Sequence, residues 1–563
     1  MGSPDATMTT AGAAESVGGG ETVGMPSLRQ AASGLAAALS QGTTVAREAG
    51  RLGVELTRIA SGRSDVAPAR GDRRFADPAW TSNMAFRMIQ QGYLASAQAL
   101  DRIVAAMPER RSGTMAEQAQ FAANILASAA APTNFLMSNP AALKRAFDTG
   151  GMSLARGARN FVHDVRRNGA MPSMIEPGAF EVGRDLAVTR GAVVARGAVA
   201  EVLQYVPATD TVFQRPVLIV PPPIGRFYFL DLRPGRSFVE YASRHGLQAF
   251  MLSWRNPTAE QSDWDLDTYA GTVSAAIDTV RDITGSPDVN LIGFCAGGII
   301  ATMLLNHLAA TGDHRVHSMS YAVTLLDFGL RAPITAFSGP GLIAFAGRRS
   351  RRKGIITSRQ MGSAFTWLRP DDLVFNYWVN NYLMGDKPPA FDILAWNADG
   401  TNLPSALHGQ FLDIFRDNLL TRPGQLGVLG TPVNLRNITV PTFVTGAVAD
   451  HLTPWKGCYR STQLLGGSST FVLSYSGHIA SLVNPPGNPK AHFFAGPEPE
   501  PDPDAWQAKA QKVAGTWWEH WADWAIQRSG DTRRSPTSLG SRKFRVIEPA
   551  PGAYVRGLEP SRG

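Results

Sequence analysis

The pattern of apolar and polar positions changes character along the chain. Residues 1–65 are rich in Ala, Gly, Ser and Thr and carry one helical stripe, Leu52, Leu56 and Ile59 at i, i+4 and i+7. This predicts a mobile leader that ends in one amphipathic helix. From Arg73 to about Gly169 the spacing is helical, with breaks at Pro108, Pro132 and Pro140, so residues 66–175 are expected to form a helical N-terminal domain. After about Met171 short β-branched runs alternate with amphipathic stretches. Strands are expected at 217–220, stopped by Pro221, Pro222 and Pro223, at 249–254 and at 289–294. Helices are expected at 263–284, with Asp263 as N-cap, and at 298–308. Two more strands, 442–445 and 470–473, come only after an irregular interval at about 329–432, which is too long for a plain loop and reads as an inserted cap. Alternating strands and helices of this length imply a parallel sheet covered on both faces. Residues 176–563 are therefore expected to be one α/β domain carrying the cap. A late helix holds Trp517, Trp518, Trp521 and Trp524, with 517, 521 and 524 on one core-facing side, and the proline-rich stretch 496–503 before it reads as a surface connector.

Composition sharpens this picture in a few places. A length of 563 residues exceeds what one core usually organises, and 44% hydrophobic with 18% charged residues excludes a chain disordered throughout. Two cysteines, Cys295 and Cys458, cannot build a disulfide framework. The polar, Gly-rich start, Met1 to Gly24, has no basic segment followed by an apolar one, and no run of about 18 apolar residues occurs anywhere. Neither a secretory signal nor a membrane span is expected, and a reducing cytoplasm is the default location. The net charge of +8 comes from basic residues scattered over the whole chain, which argues against nucleic acid as a partner. One cluster stands out, Arg348, Arg349, Arg351, Arg352 and Lys353, read as a solvated loop whose field would also favour a polyanionic ligand.

The chemistry concentrates at Gly293-Phe294-Cys295-Ala296-Gly297, which leaves an apolar strand and enters a helix. That is the context of the nucleophile elbow of an α/β-hydrolase, where flanking glycines permit a strained turn and the helix N-terminus favours a thiolate. In that fold the acid and the histidine follow the nucleophile in chain order, on loops after late strands. Asp450, in Gly446-Ala447-Val448-Ala449-Asp450-His451, and His478, in Ser474-Tyr475-Ser476-Gly477-His478, meet both conditions. His451 sits beside the acid and not on the next loop, so it reads as a neighbour that shapes the acid loop. For the oxyanion hole the amide of Ala296 gives one donor. Pro221, Pro222 and Pro223 lack N–H groups, which leaves Ile224 as the second, although the prolines also read as simple stiffening.

Several dispersed blocks resemble the polyhydroxyalkanoate synthases. They include Asp72-Arg73-Arg74-Phe75, Asp77-Pro78-Ala79-Trp80, Phe229-Leu230-Asp231-Leu232 and Ser253-Trp254-Arg255-Asn256-Pro257. Further on come Trp367-Leu368-Arg369-Pro370, Asn376-Tyr377-Trp378, Trp396-Asn397, Gly477-His478-Ile479, Asn484-Pro485-Pro486 and Glu548-Pro549-Ala550-Pro551-Gly552. The length without a partner subunit resembles the single-subunit classes. Gly487-Asn488-Pro489-Lys490 and Asp392-Ile393-Leu394 resemble the enzymes for medium-chain monomers, whereas the elbow departs from the usual forms of both groups. The resemblance implies an α/β-hydrolase fold with an inserted cap, Cys295 as nucleophile, His478 as general base, Asp450 as its orienting acid and Arg369 in a coenzyme A channel. It also implies a homodimer whose substrate is (R)-3-hydroxyacyl-CoA and whose product is a growing polyester chain. Coenzyme A is then a leaving group, with no resident cofactor and no metal, and the location is the surface of cytoplasmic polyester granules among granule-associated proteins. Cys458, in Trp455-Lys456-Gly457-Cys458-Tyr459, shows no elbow and reads as structural. A cysteine thioesterase or hydrolase of the same fold is the alternative reading, and a non-enzymatic granule coat a third.

Overall fold

The computed structural model describes residues 35–107, 113–330 and 340–558, so the Gly-rich start, Met1 to Gly24, and the expected break at Pro108 lie outside the described residues. Two compact units separate. One contains the described residues up to 179 together with 340–342 and 360–391; the other contains 180–330, 343–359 and 392–558.

The first unit is helical. Its main helices are α1 (Gly42–Ala60), α2 (Met84–Ala105), α3 (Gly113–Ala129), α4 (Pro140–Asp148) and α5 (Met152–Arg167). Asn83 caps α2 by accepting from the Ala85 and Phe86 amides, and Pro140 opens α4 at a position where its missing N–H costs nothing. In α1 Ile59 is buried while Leu56 stays exposed, and the helix is held by buried Glu48, which pairs with Arg102 of α2 at 2.7 Å. Residues 360–391, inside the interval read as a cap, pack on these helices. The Tyr382 hydroxyl donates to buried Asp164 at 2.8 Å, the Trp378 indole donates to the Asn134 carbonyl at 3.1 Å, and Arg74 pairs with Asp371 at 2.9 Å. Gly157 is required there, because a Cβ would lie 1.9 Å from the Tyr382 carbonyl oxygen.

The second unit is built on an eleven-stranded sheet. In chain order the strands are β1 (Gly191–Arg196), β2 (Ala200–Tyr205), β3 (Val217–Val220), β4 (Ala249–Trp254), β5 (Val289–Phe294), β6 (Val316–Ala322), β7 (Thr442–Ala447), β8 (Ser469–Ser474), β9 (His492–Ala495), β10 (Gln511–Ala514) and β11 (Glu548–Pro549). Their spatial order is β10-β9-β8-β7-β6-β5-β3-β4-β2-β1-β11. The six central strands from β8 to β4 are parallel, as the βα alternation requires. The sheet as a whole is mixed, not parallel, because antiparallel strands are added at both margins. The helix after β4, α6 (Leu266–Thr284), begins later than expected. Its N-cap is Asp265, whose carboxylate accepts from the Thr268 amide, and not Asp263.

Four helices place the site. They are α7 (Ala296–Thr311) after β5, α8 (Trp455–Leu464) after β7, the short α9 (His478–Leu482) after β8, and α10 (Trp517–Ile526). All four tryptophans of α10 are buried, Trp518 included. The reason is hydrogen bonding as well as packing: the Trp517 and Trp518 indoles donate to the carbonyls of Ser481 and Leu482, at 2.9 and 3.0 Å, and so clamp α9. The basic cluster is the end of a helix, Pro340–Lys353, and not a loop; Arg348, Arg351, Arg352 and Lys353 are exposed on it. Among the described residues no helix is long and apolar enough to cross a membrane.

Candidate active site

β5 ends at Phe294 and α7 starts at Ala296, so Cys295 alone makes the turn. Its φ of 49° and ψ of −122° are a conformation that residues with a side chain rarely hold. The surrounding packing enforces it. A Cβ on Gly293 would lie 2.5 Å from the Gly298 Cα, and one on Gly297 would lie 2.3 Å from the Val220 oxygen and 2.6 Å from the Pro221 oxygen. The turn is pinned by Cys295 N donating to the Ala322 carbonyl at 2.9 Å and by the Thr324 hydroxyl donating to the Cys295 carbonyl at 3.1 Å. Cys295 stays partly exposed.

Asp450 lies just past β7 and is buried. One carboxylate oxygen accepts from the Leu452 and Thr453 amides at 2.8 and 2.9 Å; the other accepts from the Thr453 hydroxyl at 2.7 Å and from His478 Nδ1 at 2.6 Å. Burial alone would raise the pKa of the carboxyl, but the His478 charge and these hydrogen bonds bring it below the usual value. His478 is buried at the start of α9, after Ser476 at φ 85°. The two loops are stitched together by Val448 N and Ala449 N, which donate to the carbonyls of Ser474 and Ser476 at 3.0 and 2.9 Å. Burial disfavours the imidazolium; the Asp450 charge and hydrogen bond, with a smaller contribution from Cys295, outweigh it and raise His478 to about 10. With Nδ1 donating to Asp450, Nε2 is the nitrogen left for the cysteine.

Thus Asp450 and His478 are joined by a hydrogen bond, and Cys295 interacts with the same imidazole. The Ala296 amide is the first of α7 and has no acceptor within the helix. Ile224 sits in the loop that crosses next to Gly297, and among the described residues its amide has no protein acceptor. Arg369 belongs to the helical unit, where its guanidinium pairs with Asp372; it is not among the residues that the sheet unit assembles. Cys458 lies in α8, fully buried, with its thiol directed at the Thr453 carbonyl at 3.6 Å. Burial and the nearby Asp450 charge push its pKa well up. Sequence reasoning missed Thr453, which holds both Asp450 oxygens; it placed the tryptophans of α10 in the core but did not foresee the hydrogen bonds by which two of them clamp α9. A Thr three residues after a loop Asp is the one local signal that was available for the former.

Fold and site together define an α/β-hydrolase-fold enzyme of the acyl-transfer kind. Comparison with known proteins narrows this. Residues 230–485 match the alpha/beta hydrolase fold, and residues 71–242 match the Poly-beta-hydroxybutyrate polymerase (PhaC) N-terminus. Poly(3-hydroxyalkanoate) polymerase 1 of Ectopseudomonas oleovorans is 45% identical over 91% of this chain and 91% of its own length. Polymerase 2 of the same organism is 43% identical over 90% of each chain, and the polymerase subunit PhaC of Cupriavidus necator 39% identical over 88% of this chain and 85% of its own. The chain belongs to the poly(3-hydroxyalkanoate) polymerase family.

Proposed function

We propose that this polymerase draws its monomers from (R)-3-hydroxyacyl-CoA and holds the acyl group as a thioester on Cys295. The observation that carries this is His478, hydrogen-bonded to Asp450, beside a cysteine on a strained elbow. In loading, the Cys295 proton is held on His478 Nε2, whose raised pKa favours the imidazolium, and the thiolate attacks the substrate carbonyl. The oxyanion is received by the amides of Ala296 and Ile224. Collapse expels coenzyme A, which leaves with the proton from His478. In elongation the 3-hydroxyl of the next monomer attacks the Cys295 thioester, its proton passing to His478 and then to the departing sulfur. The lengthened acyl-CoA reloads Cys295. Asp450 fixes the imidazole tautomer and stabilises the imidazolium in both halves.

Cysteine suits this cycle because its thioester is nearly isoenergetic with that of coenzyme A, whereas a serine ester would trap the chain. No resident cofactor enters the scheme. Arg369 is a contact for coenzyme A in this reading, so Arg369→Ala raises KM more than it lowers kcat. The working form is a homodimer at the surface of the polyester it makes.

The test supplies purified protein with short- and medium-chain (R)-3-hydroxyacyl-CoA and follows CoA release, precipitated polyester and acyl mass on the Cys295 peptide. All three are expected together. Free hydroxy acid without polymer, or polymer without acyl mass on Cys295, overturns the proposal.

A further inference from the structure

The loop that carries Ile224 is fixed at every carbonyl oxygen that a side chain reaches. Pro221 accepts from the Trp254 indole at 2.8 Å, Pro223 from the Thr401 hydroxyl at 2.6 Å, and Arg226 from the Trp396 indole at 2.7 Å. The Arg226 side chain turns inward and is 7% exposed. It donates to the Tyr554 carbonyl at 2.8 Å and pairs with Asp399 at 3.3 Å, and Asp399 in turn accepts from the Tyr228 hydroxyl at 3.0 Å. The far anchor is itself immobilised. Glu201, wholly buried, accepts from the Ala553 and Tyr554 amides at 3.3 and 3.1 Å, and the Tyr554 hydroxyl donates to the Gly197 carbonyl at 2.7 Å.

A buried guanidinium is a costly way to pack a loop, since its desolvation must be offset by every bond it makes. An apolar side chain would fill the space at lower cost, but it could not join this loop, 399 and 554 at one point. Two residues upstream of Arg226 is the amide of Ile224, on a loop that lies in close contact with the elbow at Gly297. We propose that Arg226 is a positioning residue for the oxyanion-binding amide, tying its loop to the C-terminal segment 553–557 and to Asp399. Arg226 touches no reacting atom. It fixes where the Ile224 N–H points, and the C-terminal segment is thereby part of the active-site scaffold. This rests on the reading of Ile224 as the second oxyanion donor.

The test compares two reactions of the same thiol. Acyl transfer from (R)-3-hydroxyacyl-CoA to Cys295 develops an oxyanion; alkylation of Cys295 by iodoacetamide does not. Losing one oxyanion donor costs about 100-fold or more in rate, so a misplaced donor in Arg226→Ala should slow single-turnover acylation by about 10- to 100-fold. The alkylation rate and KM should stay within about twofold of the parent, because neither reports transition-state oxyanion binding. Arg226→Lys, which keeps the charge but makes fewer bonds, should fall between. Acylation at the parent rate overturns the inference, and so does an equal loss of acylation and alkylation, which would mean a distorted elbow. If Arg226→Ala does not fold, Arg226→Lys and Tyr228→Phe give the same ratio of rates, and a parental ratio in both overturns it. A parent protein that acquires no acyl mass on Cys295 instead overturns the reading on which the inference stands.

Discussion

Two strand-turn-helix passages of the sheet unit each carry a cysteine, and only one of them is built to expose it. Between β5 and α7 the turn is a single residue, Cys295, held at positive φ by backbone packed too tightly for a Cβ at Gly293 or Gly297. Between β7 and α8 the turn is a longer loop that gives up Asp450, and Cys458 follows inside the helix, facing the Thr453 carbonyl. The Asp450 charge acts on Cys458 as it acts on His478, so the second thiol is not remote from the site. What separates the two thiols is backbone position. The elbow puts a partly exposed sulfur at a helix N-terminus beside an imidazole; the helix interior buries the other sulfur completely, against the Thr453 carbonyl.

The largest effect expected from this contrast is at Cys295. Cys295→Ala should lower CoA release by about four orders of magnitude or more while leaving the fold intact, as removal of a nucleophile in other triads does. Polymer formation near the parent rate would break the comparison at its root. His478→Gln comes next. It removes proton transfer from both half-reactions, a loss of about two to four orders of magnitude in steady-state CoA release.

The acid loop should give a smaller and pH-dependent effect. Folding raises the His478 pKa above the ordinary histidine value, to about 10, mainly through Asp450 once burial is overcome. The stability gained from that pairing is complete below about pH 6.5 and is lost as pH rises through about 10. Asp450→Asn should therefore be less stable than the parent by the widest margin near pH 6, and the gap in denaturant midpoint should close toward pH 10. A gap that widened with pH would mean that His478 is held neutral. Thr453→Val keeps the shape but loses the hydroxyl bond to Asp450; about tenfold slower acylation is expected, the cost of one hydrogen bond to a charged group.

Legibility in the sequence followed the same division. Cys295, Asp450 and His478 could be read because each stands where a β-branched apolar run ends, and the order of such ends along the chain fixes their meeting. Strands 217–220, 249–254 and 289–294 were legible for that reason, being buried on both faces and mostly apolar, with Ser253 and Asn290 the only polar side chains in them. β1 and β2 were not: Gly191–Arg196 holds two alanines and an arginine and has a register shift between Val193 and Ala195, and its hairpin partner places Glu201 in the interior. β6, with His317, Ser318 and Ser320, looks polar because its buried side chains find specific partners, as the Ser318 hydroxyl does on Asn290 at 2.7 Å. Thr401 stands 178 residues from the carbonyl it holds, and no local pattern could connect them. The membership of residues 360–391 in the helical unit was equally hidden, because a close backbone approach such as Gly157 to Tyr382 leaves only a glycine in the sequence.

The smallest effect expected is at Cys458, and it tests the contrast from the other side. Cys458→Ala removes one buried sulfur and its weak contact with the Thr453 carbonyl, so it should cost about 1 to 2 kcal/mol of stability, as small deletions in a close-packed core do. The thiol supplies nothing that the cycle uses. The variant should thus release CoA and accumulate acyl mass on Cys295 within about twofold of the parent, a size typical of changes remote from transition-state contacts. In the parent, iodoacetamide under native conditions should label Cys295 and spare Cys458, whose thiol is buried and whose pKa is pushed up. Labelling of both thiols at similar rates, or loss of elongation in Cys458→Ala with loading intact, would mean that the second sulfur carries acyl groups, and the distinction drawn from backbone position would fall.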